Sequence, residues 1–294
     1  LTEGPKMNSR IRKAAFLGSV TFISLVGMAN AGSKSDATHI PVPSPRAVLE
    51  GLWGEALLKG VPGEEDGGAA SYVLAPSSET SGDIVSLWFN YQFLIAGERY
   101  YTGFTTLEWG EGSPEAGLLF GQQTYRLDTA GREPFWKPFH RQNDVGEMPG
   151  VMKADQIDET RDPEQYVTSN QHLVLAIPTT NFASGETINS FTIFAFDPAK
   201  NDIGNYKSWQ YLGSVVAGRE NSASCGADLP TPCVSSTGTL SFVSPASGAM
   251  PVIRVNLSGT QIDSPGKTRT LGANDAVEYK FDKKTRQYEQ AAGN

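Results

Sequence analysis

Apolar and polar residues alternate along much of this chain with the period of a β-strand. From Leu87 to Ile95 the apolar set Leu87, Phe89, Tyr91, Phe93 and Ile95 takes every second position, with Trp88, Asn90 and Gln92 between. Side chains two apart share a face of a strand, so the segment predicts a half-buried strand with Trp88 on its polar side. Ala96-Gly97-Glu98 reads as a turn and Tyr100–Leu107 as the returning strand of a hairpin. The same pattern predicts strands at His172–Ile177, Ser190–Phe196, Trp209–Val216, Thr239–Val243 and Val252–Leu257, and a short one near Tyr72–Ala75.

Three segments share a finer signature. Tyr125-Arg126-Leu127-Asp128 leads to Trp136, Phe194-Ala195-Phe196-Asp197 to Trp209, and Tyr279-Lys280-Phe281-Asp282 to Tyr288. An Asp at a strand end accepts hydrogen bonds from the backbone of the following turn, and aromatics on either side pack across the hairpin. The Asp-to-Asp spacings, 69 and 85 residues, do not fit the roughly 40–50 residues of a propeller blade array. Three hairpins are expected, not a repeat fold.

Two regions resist this reading. In residues 46–59, Val48, Leu49, Leu52, Trp53, Ala56 and Leu57 fit a helical stripe with Ser44 as a cap. Gly51 and Gly54 would each cost about 1 kcal/mol inside a helix, and they tip the expectation to a strand from Gly51. Residues 128–168 carry many charges, several Pro and Gly, and no sustained alternation. They read as a long charged loop, with one or two helical turns within Asp155–Tyr166.

The chain as a whole reads as all-β with little helix. Antiparallel sheets are built from hairpins in a sandwich- or barrel-like arrangement. An N-terminal β region over 46–127 and a C-terminal β region over 169–294 flank the loop, as two β lobes or one domain.

The first residues have another character. Arg10, Arg12 and Lys13 precede an apolar run from Ala14 to Met28, and Ala29-Asn30-Ala31 places small residues at −3 and −1 of a cleavage site. That order is a secretory signal peptide, so 1–31 is expected to be removed after Ala31, leaving a periplasmic or secreted chain without a membrane span. Residues 32–45, with Pro41, Pro43 and Pro45, read as an extended linker.

Export changes how charge and cysteine are read. The whole chain carries −8; residues 1–31 carry four basic side chains against Glu3, a net of +3, so the remainder carries −11. Such a surface repels phosphate backbones and argues against nucleic acid as a partner. Cys225 and Cys233, separated by seven residues that include Pro230 and Pro232, predict a local disulfide in an oxidising compartment.

The standard catalytic constellations are missing. There is no G-x-S-x-G elbow, no H-E-x-x-H zinc site and no Gly-rich dinucleotide fingerprint. The three His residues, His39, His140 and His172, are scattered, so neither a metal nor a cofactor is expected. His140 and Asp144 are the weak catalytic candidates, beside Trp136, Pro138 and Phe139 in the long loop. Aromatic rings outside the core would be the better anchors for a ligand. Trp88, Trp109 and Trp136 stand first: one on a polar strand face, one in a Gly-rich turn, one in the loop. The expected function is an exported, non-catalytic protein that binds a partner protein, a glycan or a small ligand. The alternative is a secreted hydrolase with acid–base residues in the 133–164 loop, Asp155 among its carboxylates.

Overall fold

The computed structural model describes residues 40–54, 58–59, 71–74, 83–109, 117–149, 153–200, 207–226, 231–245, 250–272 and 274–291. The leader, the cleavage site after Ala31 and the linker before residue 40 lie outside the described residues. The described chain forms one helix and sixteen strands in three antiparallel sheets. No helix among the described residues is long and apolar enough to cross a membrane.

The helix, α1, spans Pro45–Trp53. The first sheet is a meander of β1 (Leu58–Lys59), β2 (Ser71–Leu74), β3 (Ile84–Ile95), β4 (Glu98–Trp109), β5 (Gly117–Asp128) and β6 (Phe135–Pro149), in that order. The second contains β7 (Gln156–Ile157), β8 (Glu164–Val167), β9 (Leu173–Ala183), β10 (Glu186–Phe196) and β11 (Trp209–Glu220), with β9 paired to β10, β7 and β8. The third holds β12 (Ser236–Val243), β13 (Val252–Ser264), β14 (Lys267–Leu271), β15 (Ala276–Asp282) and β16 (Gln287–Gln290).

The sheets stack as layers because the middle one is apolar on both faces. Leu173, Leu175, Ile177, Phe194, Phe196 and Trp209 join Phe93, Tyr100, Phe104 and Phe120 of the first sheet in one core. Val174, Ala176, Phe191, Ile193, Leu212 and Val215 join Ile253, Val255, Tyr279 and Tyr288 of the third sheet in another. A strand covered on both sides needs a continuous apolar run, which is why Leu173–Ile177 shows no alternation. A smaller cluster of Val48, Leu87, Tyr101 and Tyr125 seats α1 on the outer face of the first sheet.

A polar network crosses the first core. Gln142 Oε1 accepts from Ser208 Oγ at 2.8 Å, Trp209 N at 2.8 Å and Gln122 Nε2 at 2.9 Å. Its Nε2 donates to Trp209 O at 3.1 Å, and Trp209 Nε1 donates to Thr124 Oγ1 at 3.0 Å. Buried polar groups must be paired, so this seam fixes one register between β5, β6 and β11.

The three Asp signatures become turns of the expected kind. Asp128 Oδ1 accepts from Ala130 N at 2.9 Å, Asp197 Oδ1 from Ala199 N at 3.0 Å, and Asp282 Oδ1 from Lys284 N at 2.6 Å. Phe196 packs on Trp209 at 4.9 Å and Phe281 on Tyr288 at 5.8 Å between ring centroids.

Three expectations are corrected. Residues 45–53 are helical rather than a strand from Gly51. Ser44 Oγ accepts from Ala47 N at 3.2 Å, Pro45 begins the helix, and Gly54 closes it at φ 81°. Gly51 is tolerated because its missing side chain is needed there: a Cβ would come within 3.1 Å of Gln123 Oε1. Second, the expected loop 128–168 contains the fifteen-residue strand β6. β6 is the edge of its sheet, where charges and Pro138 are accommodated and the alternation is lost. The helical turns expected in Asp155–Tyr166 are instead the short strands β7 and β8. Third, the register of β3 against β4 shifts between Leu87 and Phe89. That bulge adds one residue, so Leu87 faces α1 while Trp88 packs with Phe89, Tyr91 and Phe93 against the first core.

Candidate ligand-binding site

The β9–β10 hairpin is buried over Leu173–Thr179 and emerges at Asn181–Ser184. Its turn has positive φ at both Ser184 (54°) and Gly185 (81°), the conformation that lets a two-residue loop follow the strand twist. Phe182, one residue before β9 ends, is held 66 % exposed. A large ring in water beside a rigid turn is the feature that needs explanation.

Lys153–Ile157 runs along the β9 edge of that hairpin, with Gln156 paired to Thr180. Between them lies a cavity of about 500 Å³ lined by Lys153, Asp155, Gln156, Thr180, Asn181 and Phe182, among others. Asp155 is half-buried. Burial pushes its carboxyl pKa up, and a hydrogen bond from the Asn181 side chain pulls against that rise. The Asp155 carbonyl oxygen accepts from Trp88 Nε1 at 2.8 Å. Behind it, burial raises the Tyr211 phenol, a hydrogen bond from Ser214 opposes the rise, and the Asp155 charge adds to it. The cleft thus combines one exposed ring, a half-buried carboxylate paired with an amide, three further polar side chains and one lysine.

The sequence candidates are distributed around the molecule. Trp88 touches this site through its indole N–H, while its ring lies against Phe120 at 5.1 Å and Phe194 at 6.1 Å. Trp109 is half-buried at the end of β4, over Gly117, where a Cβ would come within 2.3 Å of the ring. Trp136 packs on Tyr101 at 6.0 Å beside α1, and its buried Nε1 has no hydrogen-bond partner among the described residues. His140 lies on β6 with its ring 4.0 Å from that of Phe139. Asp144 accepts from Lys207 Nζ at 2.7 Å. His140 and Asp144 are four residues apart on β6, across a register irregularity between Gln142 and Gly146. Cys225 and Cys233 form the disulfide, with Cα atoms 5.1 Å apart.

Sequence reasoning missed Phe182, Asn181 and Lys153 as site residues. An available signal was an aromatic two residues ahead of Ser184-Gly185, a turn pair. Among the described residues no group of three or more His, Cys, Asp or Glu side chains could hold a metal ion. No family model matches the chain, and neither a curated protein nor a solved structure matches it.

Proposed function

We propose that this chain is an exported, non-catalytic binding protein and that its ligand is a glycan, held in the Asp155 cleft. The observation that carries the reading is the exposed Phe182 ring beside the Asp155–Asn181 pair. A sugar ring offers an apolar C–H face and a rim of hydroxyls. An aromatic side chain meets the first, and carboxylate and amide groups meet the second. Among the described residues, Asp155 is the one carboxylate that lines this cleft. Glycoside hydrolysis uses a pair, which favours binding over turnover. The Cys225–Cys233 disulfide suits an oxidising compartment.

Affinity electrophoresis in gels containing single soluble polysaccharides tests the reading. Mobility should fall in at least one gel, and Phe182→Ala should restore it. Unretarded migration of the natural protein across neutral, acidic and amino-sugar polymers would overturn the proposal.

A further inference from the structure

A second cleft is lined in part by the same β9–β10 hairpin. It has a volume of about 710 Å³ and lies beside β10, β12 and β13. Asp158, Arg161 and Asn189 contribute to its lining, and Thr239, Asn256 and Ser258 do so from the third sheet. Apart from glycines, its apolar lining among the described residues is limited to Ala217 and Leu257.

One rung of the hairpin contributes a residue to each cleft. Thr180 lines the first, Asn189 lines the second, and they are direct partners across β9 and β10. Residues directly opposite in an antiparallel pair have Cβ atoms about 5 Å apart on the same face. Asp155 and Asp158, one in each lining, are separated only by Gln156 and Ile157 of β7, or about 10 Å of extended chain. Each volume alone suits a small ligand; together they exceed the roughly 1,000 Å³ upper end for such sites.

Charge is balanced along this surface. Lys153 stands with Asp155 in the first cleft. In the second, Arg161 Nε donates to Asp158 Oδ2 at 2.6 Å, and its Nη2 donates to Thr179 O at 2.8 Å and Ser190 O at 3.0 Å. The guanidinium also lies over the Phe191 ring at 4.7 Å. Arg161 is therefore a wall of the cleft, committed to neighbours on several sides. A polyanion finds little uncompensated positive charge here.

We infer that the two clefts form one continuous groove for several successive residues of a neutral, extended glycan chain. The inference rests on the glycan reading of the Asp155 cleft and adds the ligand's length and charge. A peptide fits the second cleft less well, because extended peptides use alternating apolar pockets and an open strand edge. Hydroxyl and amide side chains on both walls match successive sugar hydroxyls instead.

Isothermal titration with malto-, cello- and chito-oligosaccharides of one to six units tests this. In the series that binds, affinity should rise by at least roughly tenfold from two units to six. Asn256→Ala and Thr239→Ala, both at exposed strand positions, should abolish that rise and leave disaccharide affinity unchanged. Equal affinity for two and six units, with both variants silent, would overturn the inference while the glycan reading stands. A polyanion such as alginate competing better than every neutral series would overturn it too. Absence of binding by every saccharide, with a peptide library retained instead, would remove the glycan reading and the inference with it.

Discussion

The indole N–H of Trp88 donates to the backbone carbonyl of Asp155 at 2.8 Å, tying the bulge of β3 to the floor of the candidate cleft. One ring thereby serves two purposes. Its faces pack against Phe120 and Phe194 in the first core, and its single polar atom fixes the segment that carries Asp155. Trp88→Phe keeps most of the packing and removes the donor, leaving a carbonyl to find water. Stability should fall by about 1–2 kcal/mol in urea unfolding. Amide exchange should quicken over residues 153–157 more than in β4 or β5.

The protonation of Asp155 gives a second prediction. Burial raises its folded-state pKa above the usual carboxylate value. The folded protein therefore holds the proton more tightly than the unfolded chain. Its favourable contribution is complete below the unfolded pKa of about 3.9 and is lost as pH rises through the higher folded value. Asp155→Asn should be at least as stable as the natural protein at pH 7, and any gain should shrink on acidification. Thermal melts at pH 7, 5 and 3.5 measure this. A variant that is less stable at pH 7 and recovers in acid would reverse the sign.

The Cys225–Cys233 bridge closes a short loop after β11, beside Asn221, whose side chain accepts from Val234 N at 2.8 Å and donates to Pro232 O at 3.0 Å. In the chain-entropy model such a loop contributes about 2.5 kcal/mol. Replacing both cysteines with Ser should lower unfolding stability by no more than that, because the Asn221 bonds still shape the loop. Thiol labelling of unreduced, unfolded protein should find neither sulfur free.

The buried seam at Gln142 carries the largest expected penalty. Gln142→Leu has similar bulk but strands the Trp209 peptide and Gln122 Nε2 in the core. Each buried group left unpaired costs about 1–3 kcal/mol. The loss should exceed that of Trp88→Phe, and chemical denaturation of the two variants side by side will show it.

These residues also mark what a sequence can convey. Asp128, Asp197 and Asp282 were readable because an Asx-turn is a local event, complete within three residues. The Cys pair was readable for the same reason. The face of Trp88 is not legible because a bulge has no mark of its own in an alternating run, and one extra residue inverts every face beyond it. β6 was hidden because an edge strand has no need of alternation. The helix is hidden because Gly51 counts against it by helix propensity, whereas its use is to admit Gln123. The cleft was least readable of all. Lys153, Asp155, Asn181 and Phe182 meet only through β7, a strand of two residues with no pattern to detect.

The layered stacking has a consequence for how the chain comes into being. The first sheet is a meander of neighbours in sequence, so its hairpins can close early. Its inner face of Phe93, Tyr100, Phe104 and Phe120 nevertheless waits for a lid of Phe194, Phe196 and Trp209, made much later in the chain. During synthesis, that face stands in water until Trp209 has emerged. A nascent chain stalled near residue 150 is therefore a sticky, half-built sheet. The middle strands act as the keystone of the molecule, because the core face of the earlier sheet is covered only when they arrive.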